Sequence, residues 1–487
     1  MEVSTSRKIA DNLSWLGVQE VFARLSGILL VVVLARNLST SDYGSLNICL
    51  ALIAMLSLLV RSGTGSRAVR LTARDAQNIT GLYWQVTGLR FAMALVVSSV
   101  VIVLAQPIST FLSVPPSLLV LSVVILLRPA LTVAWAFRGL DNRRPIALSV
   151  MIERALVFAG VLLLLPLHGI TAQAVILLEI LAGLAVVVFL RTRLDVLLGE
   201  RPPLRLHPTE WGAMFRESLP ISLAAMTASL YRYGDLLLLG LLAGSSAAAL
   251  YIIPHKVVMA LLIPAALIGA ASFPSVSRIM QKDTGAAVEM QARLFRMTLV
   301  VLLPACALAW FYATELLALL FGGDYSEGDI VLKILLLSVP LFAYATFQEN
   351  LLLAAPRPRA VMTCRVFASA VHIMVSLLLI PTHGIVGAAI GCLIGQLLFA
   401  ITSAAVWKTQ HGRLPLQSLC SAPVAASGLM LFALASTAAV LSVWQSLIVA
   451  ALLYLVSVVL LRGVSRQEAR YGLNYILGKI PRVGTRS

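Results

Sequence analysis

Charge is what this chain has little of. Asp, Glu, Lys and Arg make up 12% of its 487 residues, against roughly 25% in soluble domains, which excludes a water-facing globular surface over most of the length. Acid is scarcer still, with 21 Asp+Glu against 37 Lys+Arg. The five cysteines (Cys49, Cys306, Cys364, Cys392 and Cys420) show no CxxC or metal-like spacing. They read as small apolar packing residues, not as a disulfide framework. No polar stretch is long enough for a separate soluble domain. A cleavable leader is not expected, because polar residues 1–12 run directly into a long apolar stretch without a small-residue cleavage site.

What is present is apolar: 60% of the residues. About 20 apolar residues cross a bilayer as a helix. Stretches of that length fall at 14–35, 43–60, 81–105, 117–137, 147–166, 171–190, 217–242, 250–273, 297–320, 332–354, 361–381, 385–406, 416–437 and 441–461. The expectation is an all-α integral membrane protein with about fourteen transmembrane helices. Of the 37 Lys+Arg, 29 lie in the terminal tails and the even-numbered loops or at their edges (Arg365 among these), 2 in or at the edge of odd-numbered loops (Arg36 and Lys333) and 6 well inside the apolar stretches. Short loops rich in Lys and Arg stay cytoplasmic, so both termini are expected inside. The net charge of +16 is spread over many loops and forms no single face. That fits anionic lipid headgroups and argues against nucleic acid. Residues 466–480 could form a basic amphipathic helix on the membrane surface or remain a solvated tail.

The chain repeats itself. Arg144 precedes Pro166-Leu-His168-Gly169-Ile170 by 22 residues, and Arg359 precedes Pro381-Thr-His383-Gly384-Ile385 by the same 22; the two copies are offset by 215. Six apolar stretches separate them, so both copies have one orientation. Two parallel halves follow, and in transporters built this way the substrate site lies between the halves. The motif reads as a tight outer turn, with Pro ending one span and Gly making the bend. His168 and His383 then read as exposed turn residues. The expected division is a first six-helix bundle over 1–200, a second over 201–415, and two appended helices with a basic tail over 416–487.

Several stretches taken in order resemble the polysaccharide-export branch of the multidrug/oligosaccharidyl-lipid/polysaccharide flippase superfamily. They are Leu34-Ala-Arg36-Asn-Leu38 with Asp42-Tyr43-Gly44, Gly63 with Arg67, Arg70 and Arg74, and Phe137-Arg138-Gly139-Leu140-Asp141. Further along come Ser218-Leu-Pro220 with Asp235 and Gly240, Tyr251 with Phe273-Pro274-Ser275-Val276-Ser277-Arg278, and Leu320-Phe321-Gly322-Gly-Asp324-Tyr325. The resemblance covers residues 13 to about 406. It implies two six-helix bundles around a central cavity. The implied function is to flip a polyprenyl-pyrophosphate-linked oligosaccharide, an O-antigen or exopolysaccharide repeat unit, across a bacterial inner membrane by alternating access. No bond is made or broken. A polysaccharide polymerase and a chain-length regulator are candidate protein partners, beside the lipid-linked oligosaccharide and the membrane lipids.

Six basic residues inside the apolar stretches carry the functional expectation: Arg24, Arg90, Arg128, Arg154, Arg232 and Lys256. At roughly 2.5–3.5 kcal/mol each they would cost on the order of 15 kcal/mol if left in hydrocarbon. Pairing or a wet cavity must offset this. Glu20 with Arg24, and Arg232 with Asp235, are neighbours on one helix face and can pair locally. Arg90, Arg128 and Lys256 have no local partner and need an acid from another helix or an anion that comes and goes. A pyrophosphate suits this, because the guanidinium fork donates two hydrogen bonds to phosphate oxygens. Glu20, Glu153 and Asp235 are candidates for coupling to H+ or Na+, against the plainer reading of ion pairs alone. No cofactor or metal is expected. Pro129, Pro220, Pro254, Pro264 and Pro340 are expected to kink or loosen their helices.

Three rivals stand. A multidrug/cation antiporter would favour an acid-lined cavity. A membrane enzyme of polysaccharide assembly, a polymerase or ligase, needs a large outer loop or an acidic metal site. A non-transporting partner of such a complex is the third.

Overall fold

A computed structural model describes residues 2–199, 202–203, 206–355, 358–411, 416–437 and 442–461. The basic tail at 466–480, Arg201, Arg205, Arg357 and Arg413 lie outside the described residues. Every regular element among the described residues is helical. In chain order these are α1 (Glu2–Asn37), α2 (Thr40–Arg61), α3 (Thr64–Arg74), α4 (Asn78–Val103), α5 (Ala105–Leu112), α6 (Pro116–Val123), α7 (Leu127–Leu131), α8 (Ala134–Gly139), α9 (Arg144–His168) and α10 (Ala172–Leu198). Then follow α11 (Pro208–Leu242), α12 (Ser245–Leu261), α13 (Ile263–Met280), α14 (Thr284–Phe311), α15 (Ala313–Phe321), α16 (Asp329–Ala354), α17 (Pro358–His411), α18 (Leu416–Thr437) and α19 (Val443–Leu460).

Helix is the form that satisfies every backbone donor and acceptor within one segment, as hydrocarbon requires. Ten helical segments are long and apolar enough to cross a membrane, with shorter apolar helices at 245–261, 421–437 and 444–460. Over the described residues the fourteen apolar stretches fall on helix. Four of them are interrupted, the third only near its end, at Leu104. The fourth divides at a 3-10 turn, Val124–Leu126, and again where Thr132 turns extended (ψ 136°) just beyond Pro129. The eighth breaks at Leu262, beside Pro264, and the ninth at Tyr312. By contrast α11 runs on through position 220, and α16 runs on through Pro340.

The repeated Pro-x-His-Gly-Ile motif makes the expected bend in both copies. Gly169 ends α9 at φ 75°, ψ 175°. Gly384 breaks α17 at φ 53°, ψ −129°. Both conformations are nearly closed to residues with a Cβ.

The chain forms two compact units. The first comprises 1–256, 317–331 and 369–391; the second comprises 257–316, 332–368 and 392–487. In the first, Tyr83, Val86 and Leu89 of α4, Trp135 and Phe137 of α8, Leu190 and Leu194 of α10 and Met214 of α11 share one buried cluster. The start of α2 sits hard against the start of α12: a Cβ at Gly44 would lie 1.8 Å from the carbonyl oxygen of Ser245. Ser39 caps α2 by accepting from the Asp42 amide, which fixes the turn that delivers Gly44 there.

In the second unit, α18 and α19 pack on α14 through Ala307, Ala426, Met430, Leu434, Ala450 and Tyr454. The Tyr454 hydroxyl donates to the Val300 carbonyl at 2.6 Å. The four described cysteine side chains, Cys49, Cys306, Cys364 and Cys392, are buried and none is in a disulfide.

Candidate functional site

Polar side chains gather in the first unit, in three groups. The first is basic. It comprises Arg61 at the end of α2, Arg90 on α4, Arg128 on α7 and Arg138 on α8: Arg61 lies within electrostatic reach of Arg128 and Arg138, and Arg90 within reach of Arg61 and Arg138. Arg90 is 4% exposed, and its Nε donates to Thr64 Oγ1 at 2.9 Å. Arg128 crosses to α9 and grips Glu153 with both prongs, Nη1 to Oε1 and Nη2 to Oε2, the latter at 2.5 Å. Among the described residues, Glu153 is the one carboxylate in contact with these four guanidiniums. Short helix α3 adjoins the group. It buries Thr64, Ala68 and Thr72 on one face and leaves Arg70 and Arg74 exposed; its Arg67 meets Glu217 at 2.8 Å.

The second group is an ammonium without an acid. Lys256 on α12 donates to the Tyr43 hydroxyl and to Asn47 Oδ1, both at 2.8 Å. Its Nζ also stands 5.0 Å from the Tyr43 ring centre, a favourable position for a cation. Tyr43 in turn meets Tyr325 edge to face.

The third group is a buried carboxylate. Asp235 on α11 accepts from the Tyr251 hydroxyl at 2.7 Å on Oδ2. Its Oδ1 faces His372 Nε2 at 2.8 Å and accepts from the Ser376 hydroxyl at 3.1 Å.

The remaining expected residues fall as follows. Arg24 pairs with Glu20 one turn back on α1, Nε to Oε1 at 2.6 Å. Arg154 stands 3.9 Å from Glu179 on α10. Arg232 is exposed and has no ion-pair partner among the described residues. The expected local pair between Arg232 and Asp235 does not form, because three donors from α12 and α17 hold the carboxylate on the buried side of α11.

Sequence reasoning passes over Asn47 and His372, and places Tyr251 only within the resemblance. The signal for His372 is a lone imidazole in the middle of an apolar stretch. Arg61 and Arg138 read from sequence as loop residues, yet both lie within electrostatic reach of Arg90. In the second unit, Arg365 contacts Glu349 and lies over the Phe399 ring, 3.7 Å from its centre.

The chain is a multi-pass membrane protein with a known transporter fold. It is similar to a structure described as the lipid II flippase MurJ in an inward closed conformation, with a TM-score of 0.74 and 13% identity, covering 92% of this chain and 98% of that one. It is also similar to an inward-facing multidrug resistance MATE family transporter of the MOP superfamily, with a TM-score of 0.62 and 13% identity over 82% and 98% of the two chains. A variant of the MATE transporter VcmN of Vibrio cholerae matches with a TM-score of 0.53 and 15% identity over 84% and 99%.

The chain thus shares the fold of these membrane transporters. It belongs to the polysaccharide biosynthesis protein family, whose model matches residues 9–280, more than half the sequence. An uncharacterized membrane protein of Methanocaldococcus jannaschii is 24% identical over 135 residues; the match spans 28% of this chain and 27% of that relative.

Proposed function

We propose that this protein carries a polyprenyl-pyrophosphate-linked oligosaccharide from the cytoplasmic to the outer leaflet of a bacterial inner membrane by alternating access. The basic group carries the reading. Four arginines converge from α2, α4, α7 and α8 with one contacting carboxylate between them, Glu153. Arg90 is buried while Arg61 and Arg138 are exposed beside it, so guanidiniums that repel one another stand where an anion can join them. A pyrophosphate bears roughly two negative charges and presents oxygens that guanidinium forks match. Membership of a polysaccharide biosynthesis family supports a lipid-linked sugar as the rest of the cargo. The same excess of base disfavours a cavity for cationic drugs.

In this reading Arg61 and Arg138, at the ends of α2 and α8, receive the headgroup, and Arg90, midway along α4, draws it inward. Lys256, held by neutral groups, offers a further cationic stop. The polyprenyl tail stays in lipid. The test is leaflet assignment of lipid-linked sugar in cells lacking the protein. Accumulation in the inner leaflet, reversed by the parent gene and not by a variant with Arg61, Arg90 and Arg138 all changed to Gln, is the expected result. Full reversal by that variant would overturn the assignment.

A further inference from the structure

The most enclosed ionisable pair in the first unit plays no part in holding an anion. Asp235 is 7% exposed and His372 is 2% exposed. They come from α11 and α17, and α12 adds Tyr251 from a third side. We propose that Asp235 and His372 form a proton-carrying site, and that proton occupancy decides between the arrangement described above and one in which α12 has moved. The inference rests on the transport reading, and supplies its coupling ion.

The donor pattern selects the proton over an alkali ion. Both oxygens of Asp235 already face hydrogens: the Tyr251 hydroxyl on Oδ2, and His372 Nε2–H with the Ser376 hydroxyl on Oδ1. A hard cation needs several oxygen lone pairs converging on it, and here the converging groups are donors. A proton needs none of this. It adds to the imidazole, and the pair becomes imidazolium and carboxylate with no net charge. Without it, the pair carries one net negative charge away from water, which is disfavoured. The closed arrangement and a wetter one therefore differ in what the pair's net charge costs, and such a difference is what coupling demands.

The charged and titratable neighbours are few. On α12, His255 stacks on Tyr251 with ring centres 5.9 Å apart, and Lys256 follows it. On α11, Arg232 is one turn away and exposed. From α2 comes Tyr43, which holds Lys256. From α9, Arg154 feels Lys256. His255 reaches the pair through space only, whereas His372 touches the carboxylate. Helix α12 is the natural relay: Tyr251 donates to Asp235, and the same helix begins at Ser245, which Gly44 of α2 contacts closely.

Ser245 gives the readout, being 8% exposed. A Ser245→Cys reporter in the full chain, reconstituted in lipid vesicles, is labelled with a membrane-impermeant maleimide at a series of pH values. Each rate is divided by that of the Ser245→Cys protein unfolded in denaturant at the same pH, because the thiolate that attacks maleimide itself grows with pH. This ratio is expected to rise with pH, by at most ~10-fold per unit for one linked proton, and to become pH-independent in His372→Gln. The response should persist in His255→Gln and should ignore replacement of choline by Na+ at fixed pH. A parent protein without pH dependence would overturn the inference. So would a full response in His372→Gln, loss of it in His255→Gln, or a response to Na+.

Should His372→Gln fail to fold, Tyr251→Phe decides. Removing one donor to Asp235 must displace the transition, and an unmoved midpoint counts against the site. The assay uses no sugar, so its failure leaves the pyrophosphate reading standing. Failed leaflet transfer with intact pH-dependent labelling would discard that reading alone.

Discussion

Arg128 and Glu153 lie 25 residues apart and close a two-pronged pair between α7 and α9, with the carboxylate far more buried than the guanidinium: 4% against 36% side-chain exposure. The asymmetry sets a prediction. Arg128→Ala strands a buried carboxylate and should destabilise the protein by about 3–5 kcal/mol. Glu153→Gln leaves a guanidinium that is only part-buried and should do so by clearly less. Thermal unfolding of the detergent-solubilised protein, with the double variant closing the cycle, measures both. Equal losses would contradict the pair's geometry.

Arg61, Arg90 and Arg138 should separate stability from function. Each repels its basic neighbours, so replacing Arg61 or Arg138 by Gln is expected to leave the melting temperature unchanged or raised while slowing leaflet transfer at least ~10-fold, about 1.4 kcal/mol of binding or barrier. Residues retained for a ligand commonly show this opposition. A loss of transfer that tracked loss of folded protein would speak against it.

Gly44 should accept no side chain. The atom in the way is a backbone carbonyl, that of Ser245, which cannot swing aside as a side-chain tip can. Gly44→Ala should therefore separate the starts of α2 and α12, and a Ser245→Cys reporter in that background should label faster than in the parent. Unchanged labelling would mean that the close approach does not hold the two helices together.

Gly169 and Gly384 are surrounded by open space, so substitution there strains the backbone alone. Alanine at either should cost about 1–3 kcal/mol. Asn should not rescue, since neither glycine sits in the ordinary left-handed helical region. Chemical denaturation of each variant checks this, and near-equal effects at the two positions are expected because the motif is repeated.

How far the sequence led depends on the kind of signal. Hydropathy located the helices, because apolar length is a property of a segment by itself. The two Pro-x-His-Gly-Ile copies located two bends for the same reason. Local pairs were half legible: Glu20 and Arg24 met as their spacing allowed, whereas Asp235 turned from Arg232 toward Tyr251, His372 and Ser376. Helical spacing says which residues share a face, not what the neighbouring helices bring to it. The Arg128–Glu153 pair and the His372 contact are both tertiary. They join positions 25 and 137 residues apart, and no periodicity encodes them.

Lys256 is held by a phenol and an amide, neither of which carries charge. A phosphate arriving at that ammonium would have no counterion to evict. It would exchange two neutral contacts for an ionic one, and on leaving would find the same neutral hosts ready to close again. Such a foothold favours passage over retention, as suits a carrier that must release its cargo on the far side.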